Sequence, residues 1–390
     1  FLEKEGKVCP RCFRPQNCQF KPFSSYYSLF FWNYVFDNFM TVAYTILMSI
    51  WTTVGMNLWK REWHTLQVKW GITFDDDEIG ARTAYIDRVM QKYDPKTKKV
   101  EPFVPKVENV MRMCFSVTIC VVMLSVVLLA VVGVITTKLL LRMLFSEYLL
   151  DSTPTVVMIV GSILNVCFIK LFGEMYENVS IWLTDIENPR LQRDYDSSVL
   201  YKRYLLAFAN NYAPFCYIAF VKGINFSQPG TNSFFTQQDN CQPSTCIGDL
   251  ATNLFFIITF KRLVGNLLVL FKPPLRKLFK GLLTFKKKVA EKEEELPQYE
   301  VEYELLPTNR YLLTSEFCEM VINYGFVTLF YAACPFASLF ILLNNLMEQR
   351  LDATKLNVRF RRPIPRNVSG IGAWEGVILG LSYLSTATNV

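Results

Sequence analysis

Histidine is nearly absent: His64 is the single one in 390 residues. Triads built on histidine and multi-histidine metal sites are thereby excluded. Charge is sparse as well, with Asp, Glu, Lys and Arg making 19% of the chain against 51% hydrophobic and 15% aromatic residues. With a mean hydropathy of +0.21, the chain is too apolar for an ordinary soluble domain of this length. No second cysteine pair follows Cys9-Pro10-Arg11-Cys12 at zinc-site spacing. The segment 1–38 therefore reads as extracellular and disulfide-bearing, with a zinc knuckle as the alternative. Cys18 makes the local count odd, which places one partner elsewhere. Asp75-Asp76-Asp77-Glu78 lacks the alternation and the glycine of an EF-hand and reads as a solvated acidic turn. The net charge of +7 does not indicate nucleic acid, because the basic residues gather in alternate loops. Phe1 is not an initiator methionine, no signal peptide is visible, and the chain stops in or just after an apolar segment. It reads as a piece of something longer.

What the chain does have is long uncharged runs separated by charged loops, the pattern of an all-α, polytopic membrane helix bundle. The first span is expected at 39–59, ending in Trp59-Lys60-Arg61. A loop at 60–112 carries eleven Lys and Arg, hence a cytoplasmic side by the positive-inside rule. Further spans fall within 113–271. One begins near Met113 and has Lys138 and Arg142 at its far end. The next starts near Pro154 and runs past Lys170 and Glu174, which puts Lys170 within the membrane; it serves a function there, or it snorkels or pairs with Glu174. The span at 204–221 contains Asn210, Asn211 and Pro214, and amides at that depth should face a partner helix or a wet groove. The loop 222–249 is almost free of basic residues, carries the sequon Asn225-Phe226-Ser227, and holds Cys241 and Cys246 close enough for a local disulfide. It belongs outside the cell. The span from Ile247 has Lys261-Arg262 in its middle; adjacency sends them to different faces, so they line a water-filled, anion-tolerant path or form interhelical salt bridges. A basic-then-acidic cytoplasmic linker follows at 272–311.

The segment 312–356 organises the rest. Its uncharged run, Met320 to Met347, is 28 residues long, too long for one span of about 20 and too short for two. Pro335 marks a break, so a helical hairpin is expected. Both arms reach across only by taking in charged residues at their outer ends: Glu316 and Glu319 on the first, Glu348 and Asp352 on the second. Spacings i, i+3 and i, i+4 put each pair on one helix face, with Asn344 one turn before Glu348. Four carboxylates and an amide oxygen converge at one depth, together with Asn266 of the preceding span. They are protonated, pair with Arg350, or bind a cation, unless they are simply solvated helix ends. Hard oxygen ligands favour Ca2+ over Zn2+. A cytoplasmic loop at 357–370 and a last span at 371–390 close the topology, with the acidic ends facing the cytoplasm.

Several motifs, in order through nearly the whole chain, resemble the anoctamins. They are Trp59-Lys60-Arg61, Asn210-Asn211-Tyr212, Ala219-Phe220-Val221-Lys222-Gly223, Tyr299-Glu300-Val301-Glu302-Tyr303 and Gly325-Phe326-Val327-Thr328-Leu329-Phe330. Leu343-Asn344-Asn345, Arg350-Leu351-Asp352-Ala353 and Arg361-Arg362-Pro363 complete the set. The resemblance implies ten transmembrane helices, of which this chain holds the second to the ninth. It also implies a homodimer formed largely by a helix missing from this chain. Members are Ca2+-activated chloride channels, Ca2+-activated phospholipid scramblases, or both, with a groove that here runs from Met113 to Ala333. Carried over residue by residue, the calcium ligands are Asn266, Glu316, Glu319, Asn344, Glu348 and Asp352. Leu270 stands where the family usually has a glutamate, which predicts weaker calcium binding, one ion instead of two, or weak coupling to the gate. Phe260 replaces a glycine of many members, and Gly265 is the candidate substitute.

Lys138, Lys202 and Lys261 match basic positions on the anion path of channel-type members, while Ala207 departs from that pattern. Lys170, Asn210 and Asn211 would serve the passage of lipid headgroups. The expected function is a plasma-membrane, Ca2+-activated anion channel whose partners are chloride or other small anions, phospholipids and the membrane, not nucleic acid. A scramblase using the same groove is the alternative, and a transport-inactive scaffold a further one. An intramembrane enzyme is not expected, because the acidic cluster is mostly Glu and includes amides.

Overall fold

In the computed structural model, the described residues are 6–8, 21–36, 38–72, 80–94, 99–145, 153–222, 246–259, 297–303, 305–308, 310–362, 368 and 370–389. Cys9, Cys12, Cys18, the 75–78 acidic turn, Asn225, Cys241, Phe260, Lys261, Arg262, Gly265, Asn266 and Leu270 lie outside them. Helices dominate: α1 (Tyr27–Phe36), α2 (Phe39–Lys69), α3 (Thr83–Arg88), α4 (Lys106–Phe145), α5 (Thr153–Glu187) and α6 (Gln192–Cys216) come first. They are followed by α7 (Cys246–Thr259), α8 (Gln298–Tyr303), α9 (Leu312–Leu329), α10 (Ala337–Thr354) and α11 (Trp374–Thr388). Two small antiparallel ribbons accompany them, β1 (Lys7–Val8) with β2 (Lys21–Pro22), and β3 (Met90–Asp94) with β4 (Lys99–Phe103). The second ribbon sits in the long basic loop, where no alternating pattern announced a strand.

Local chemistry explains the helix ends. Asn38 caps α2, its side-chain oxygen accepting from Met40 N–H at 2.7 Å, and Gly71 (φ 62°) takes the chain out beyond Trp70. The helix continues past Trp59 to Lys69, so its polar last turns project beyond the apolar stretch. Hydroxyls along α4 return to their own helix: Thr118 donates to Cys114 O, Ser125 to Val121 O, and Thr136 and Thr137 to Gly133 O. These four hydroxyls are thereby not presented unpaired to hydrocarbon. Asn188, at φ 48°, ends α5 in the left-handed region ahead of Pro189. Pro214 lies inside α6, which passes into a π-turn over Tyr217–Val221.

Three helices among the described residues are long and apolar enough to cross a membrane: Phe39–Lys69, Lys106–Leu141 and Gln192–Val221. The arms α9 and α10 have 18 residues each, about 27 Å apiece at helical rise, close to the hydrocarbon thickness. α4, α5 and α6 pack on one another, and α9 packs between α6 and α11. The polarity is that of a membrane bundle. Phe39, Met40, Val117 and Leu129 face outward, whereas Ser116, Ser180, Thr184, Asn210, Asn211, Asn323 and Thr328 are buried.

Tyr212 is the pivot of the core, with 0% exposure. Its hydroxyl donates to Ile322 O at 2.6 Å, and its ring meets Phe208, Phe326 and Phe330. A Cβ on Gly325 would stand 2.0 Å from the Tyr212 oxygen. Only glycine lets α6 and α9 approach this closely.

Candidate cation site at the open end of the hairpin

The hairpin is held at both ends by other parts of the chain. At its turn, Asn389 at the end of α11 donates to Thr328 O at 2.8 Å and accepts from Ala332 N–H at 3.4 Å, while Thr388 donates to Leu329 O at 3.1 Å. These are carbonyls that the end of α9 leaves without helical partners. Tyr44 of α2 donates to Pro335 O at 3.3 Å, and Ser49 shares a 2.7 Å hydrogen bond with Tyr331. At the open end, Leu306 and Phe360 form a parallel bridge. Leu306 N–H donates to Arg359 O at 3.1 Å and Arg361 N–H to Leu306 O at 2.9 Å. Arg361 also stacks 4.2 Å over the Tyr303 ring. Two of the sequence motifs, around Tyr303 and Arg361, thus form one clamp on the chain entering and leaving the hairpin.

Between these anchors the acidic residues gather. One carboxylate oxygen each from Glu316, Glu348 and Asp352 lies within 4.8 Å of the others. Asn344 and Glu348 are buried, at 7% and 5% exposure, and Asn344 Nδ2 donates to Glu348 Oε2 at 3.3 Å. Glu319 is half-buried one turn beyond Glu316 on α9, and its charge acts on Glu316. Ca2+ takes oxygen ligands at about 2.3–2.6 Å, so two ligands across one ion stand up to about 5 Å apart. The carboxylate spacing and the hard donor set fit a divalent cation.

The neutralising cation is not Arg350, which is exposed. It is Lys355, whose Nζ lies 2.8 Å from Asp352 Oδ1 and 3.2 Å from Glu316 Oε1. Sequence reasoning missed it, although its i, i+3 spacing from Asp352 was legible. It missed Arg203 too, which pairs with Glu177 at 2.9 Å and donates to Ser315 Oγ at 2.9 Å, tying α6 to α5 and to the start of α9.

The groove candidates separate. Lys138 on α4 is half-buried and lies over Gly161 of α5, where a Cβ would come within 2.2 Å of its Cε. Lys170 and Glu174 are both exposed on α5. Lys202 is bound to Glu187 at 2.6 Å and to Thr184 Oγ1 at 3.1 Å. Burial raises the Glu187 carboxyl, but hydrogen bonds from Lys202 and Ser198 and the ammonium charge outweigh it and hold it below the usual carboxylate range. Asn210 Nδ2 reaches across to Ile169 O of α5 at 3.2 Å, and Asn211 Nδ2 bonds Ala207 O of its own helix at 2.7 Å. Cys246 is disulfide-bonded. Tyr195 forms a further node: Arg82 stacks 4.0 Å over its ring, and its hydroxyl donates to Asp185 at 2.8 Å and accepts from Tyr311 at 3.4 Å.

A bundle of long apolar helices with carboxylates collected at the mouth of a hairpin defines a multi-pass membrane protein with a candidate cation site. The family profile described as "Anoctamin: Calcium-activated chloride channel" matches residues 17–390, and the chain belongs to the anoctamin family. Among similar proteins, Anoctamin-3 of Homo sapiens is 32% identical over 392 residues, covering 98% of this chain and 39% of the relative. Anoctamin-7 of Rattus norvegicus is 31% identical over 390 residues, covering 98% and 45%. Anoctamin-5 of Homo sapiens is 29% identical over 400 residues, covering 98% and 43%. The chain therefore spans less than half the length of these relatives.

Proposed function

We propose that this chain carries the transport path and calcium site of a Ca2+-activated anion channel, not an enzyme, in the plasma membrane. The observation that carries the reading is the convergence of Glu316, Glu348 and Asp352 oxygens within 4.8 Å at the end of a two-armed membrane hairpin. Glu319 and Asn344 stand beside them, and Asn266, outside the described residues, is the further ligand that the family resemblance implies. Bound Ca2+ would add to the single Lys355 ammonium the positive charge that four carboxylates at one depth need. Glu316 and Glu319 sit on one arm and Glu348 and Asp352 on the other, so neutralising them together removes a repulsion between α9 and α10. The acidic ends face the cytoplasm, so an intracellular signal opens the path. Chloride or another small anion is the permeant species, and the working unit is a homodimer.

One observation favours the second reading, a Ca2+-activated phospholipid scramblase. Lys202 is paired with Glu187 at 2.6 Å, which cancels one of the charges an anion path would use. Lys170 and Glu174 instead present both signs on the exposed face of α5, a match for zwitterionic headgroups.

The experiment uses inside-out patches from cells expressing the full-length protein, with cytoplasmic Ca2+ stepped from nominally zero to millimolar. Lipid exposure is scored on the same cells with an annexin-type probe, and Leu270→Glu is run in parallel. Calcium-evoked anion current, shifted to lower calcium in Leu270→Glu, is the expected result. Lipid exposure without current makes the protein a scramblase. Silence from both forms at normal surface expression overturns the transport reading and leaves a membrane scaffold.

A further inference from the structure

The geometry points to Lys355 as a tethered competitor for the divalent cation: its ammonium occupies the carboxylates of Glu316 and Asp352 and must leave before those oxygens can bind Ca2+. This inference rests on the calcium reading above and adds a regulatory contact to it. Lys355 Nζ bridges the two arms, 3.2 Å from Glu316 of α9 and 2.8 Å from Asp352 of α10. All three side chains are largely shielded, at 17%, 23% and 18% exposure. Shielding weakens the screening that makes surface ion pairs negligible. The carboxylate oxygens already accept ammonium hydrogens at these distances. A divalent ion bound to the same oxygens at about 2.4 Å would stand next to a second cation, and like charges that close repel.

The backbone around Lys355 suits such a contact. Lys355 is the first residue of a π-turn, Lys355–Arg359, in which Phe360 N–H bonds Lys355 O at 3.0 Å. A π-turn closes on i→i+5 hydrogen bonds in place of the α-helix's i→i+4, and such turns recur at functional sites. The turn leads directly to the Leu306–Phe360 bridge, so displacement of Lys355 is felt at the clamp on the hairpin's open end. Two further cations near the start of α9, Arg203 and Arg310, are engaged with Glu177 and Ser315 and with Asp196 and do not substitute. Removing the ammonium therefore raises calcium affinity, although it deletes a native ion pair.

The test is calorimetric titration of Ca2+ into the purified full-length protein in nanodiscs, for wild type, Lys355→Gln, Lys355→Arg and Arg362→Gln. Arg362 is exposed and pairs only distantly with Glu302, at 3.9 Å, so it reports the general effect of removing one positive charge. The expected result is about tenfold tighter binding by Lys355→Gln, with Lys355→Arg and Arg362→Gln near wild type. A second measurement covers the case in which Lys355→Gln folds poorly: acylation of the Lys355 amine in the wild type, read by mass spectrometry, is expected to rise when Ca2+ is added. Calcium binding by wild type and Lys355→Gln with equal affinity, or amine reactivity that calcium leaves unchanged, overturns this inference and leaves the calcium site standing. Absence of calcium binding in every form overturns both.

Discussion

Lys202 of α6 and Glu187 at the end of α5 are joined by a 2.6 Å ion pair, with Ser198 and Thr184 as further partners of the same ammonium. The pair closes the tight connection between the two helices. Because its neighbours hold the Glu187 carboxyl below the usual range, its contribution to stability is present above the carboxyl's unfolded pKa. It is lost as pH falls through the lower folded value. Glu187→Gln is expected to cost about 1–3 kcal/mol at neutral pH, less than a fully buried pair because both side chains keep some exposure. Thermal unfolding of both forms from pH 7 to pH 3 checks this: the gap should narrow as the medium becomes acid. A gap independent of pH would remove the ion pair as its cause.

The contact between Tyr212 and Gly325 predicts a rescue. Gly325→Ala forces a methyl to 2.0 Å from the tyrosine oxygen, and overpacking of this kind costs about 1–3 kcal/mol. Tyr212→Phe removes that oxygen together with its hydrogen bond to Ile322. In a double-mutant cycle of unfolding free energies, the two changes should cost less together than the sum of each alone. Strict additivity would mean that α6 and α9 do not meet as closely as described.

Asn389 predicts the weight of the hairpin turn. Its amide serves Thr328 O and Ala332 N–H from outside the hairpin, and Asn389→Ala leaves both without that partner. The expected loss is about 1–3 kcal/mol of stability. Hydrogen exchange should localise the loss to 328–336, with little change at the 344–355 end. Uniform loss across α9 and α10 would contradict the assignment.

The hairpin itself was legible, since a 28-residue uncharged run containing Pro335 admits few other solutions. Its turn was not. α9 stops at Leu329, six residues before the proline, because Tyr44, Ser49 and Asn389 supply partners there that lie far away in sequence. The carboxylates of Glu316, Glu348 and Asp352 declared themselves by spacing and depth. Their counter-ion did not: Lys355 reaches Glu316 only because the two arms pack, and the nearer candidate by charge, Arg350, turns outward. Adjacent amides showed the same limit. Asn210 and Asn211 announced a need for partners, but only the packing of α6 on α5 tells that one crosses to Ile169 while the other turns back to Ala207. In a membrane bundle, polarity marks which residues need a partner, and the helix packing decides which partner it is.

In the function proposed above, carboxylates at the open end of the hairpin sense calcium. The most direct measurement is the calcium dependence of current or lipid exposure in Glu348→Gln, compared with wild type in the same inside-out patches. Glu348 is buried at 5% exposure and belongs to the carboxylate group of the site, so losing its charge should shift activation at least about tenfold to higher calcium. Surface expression should stay unchanged. An activation curve that overlays the wild type would contradict the account.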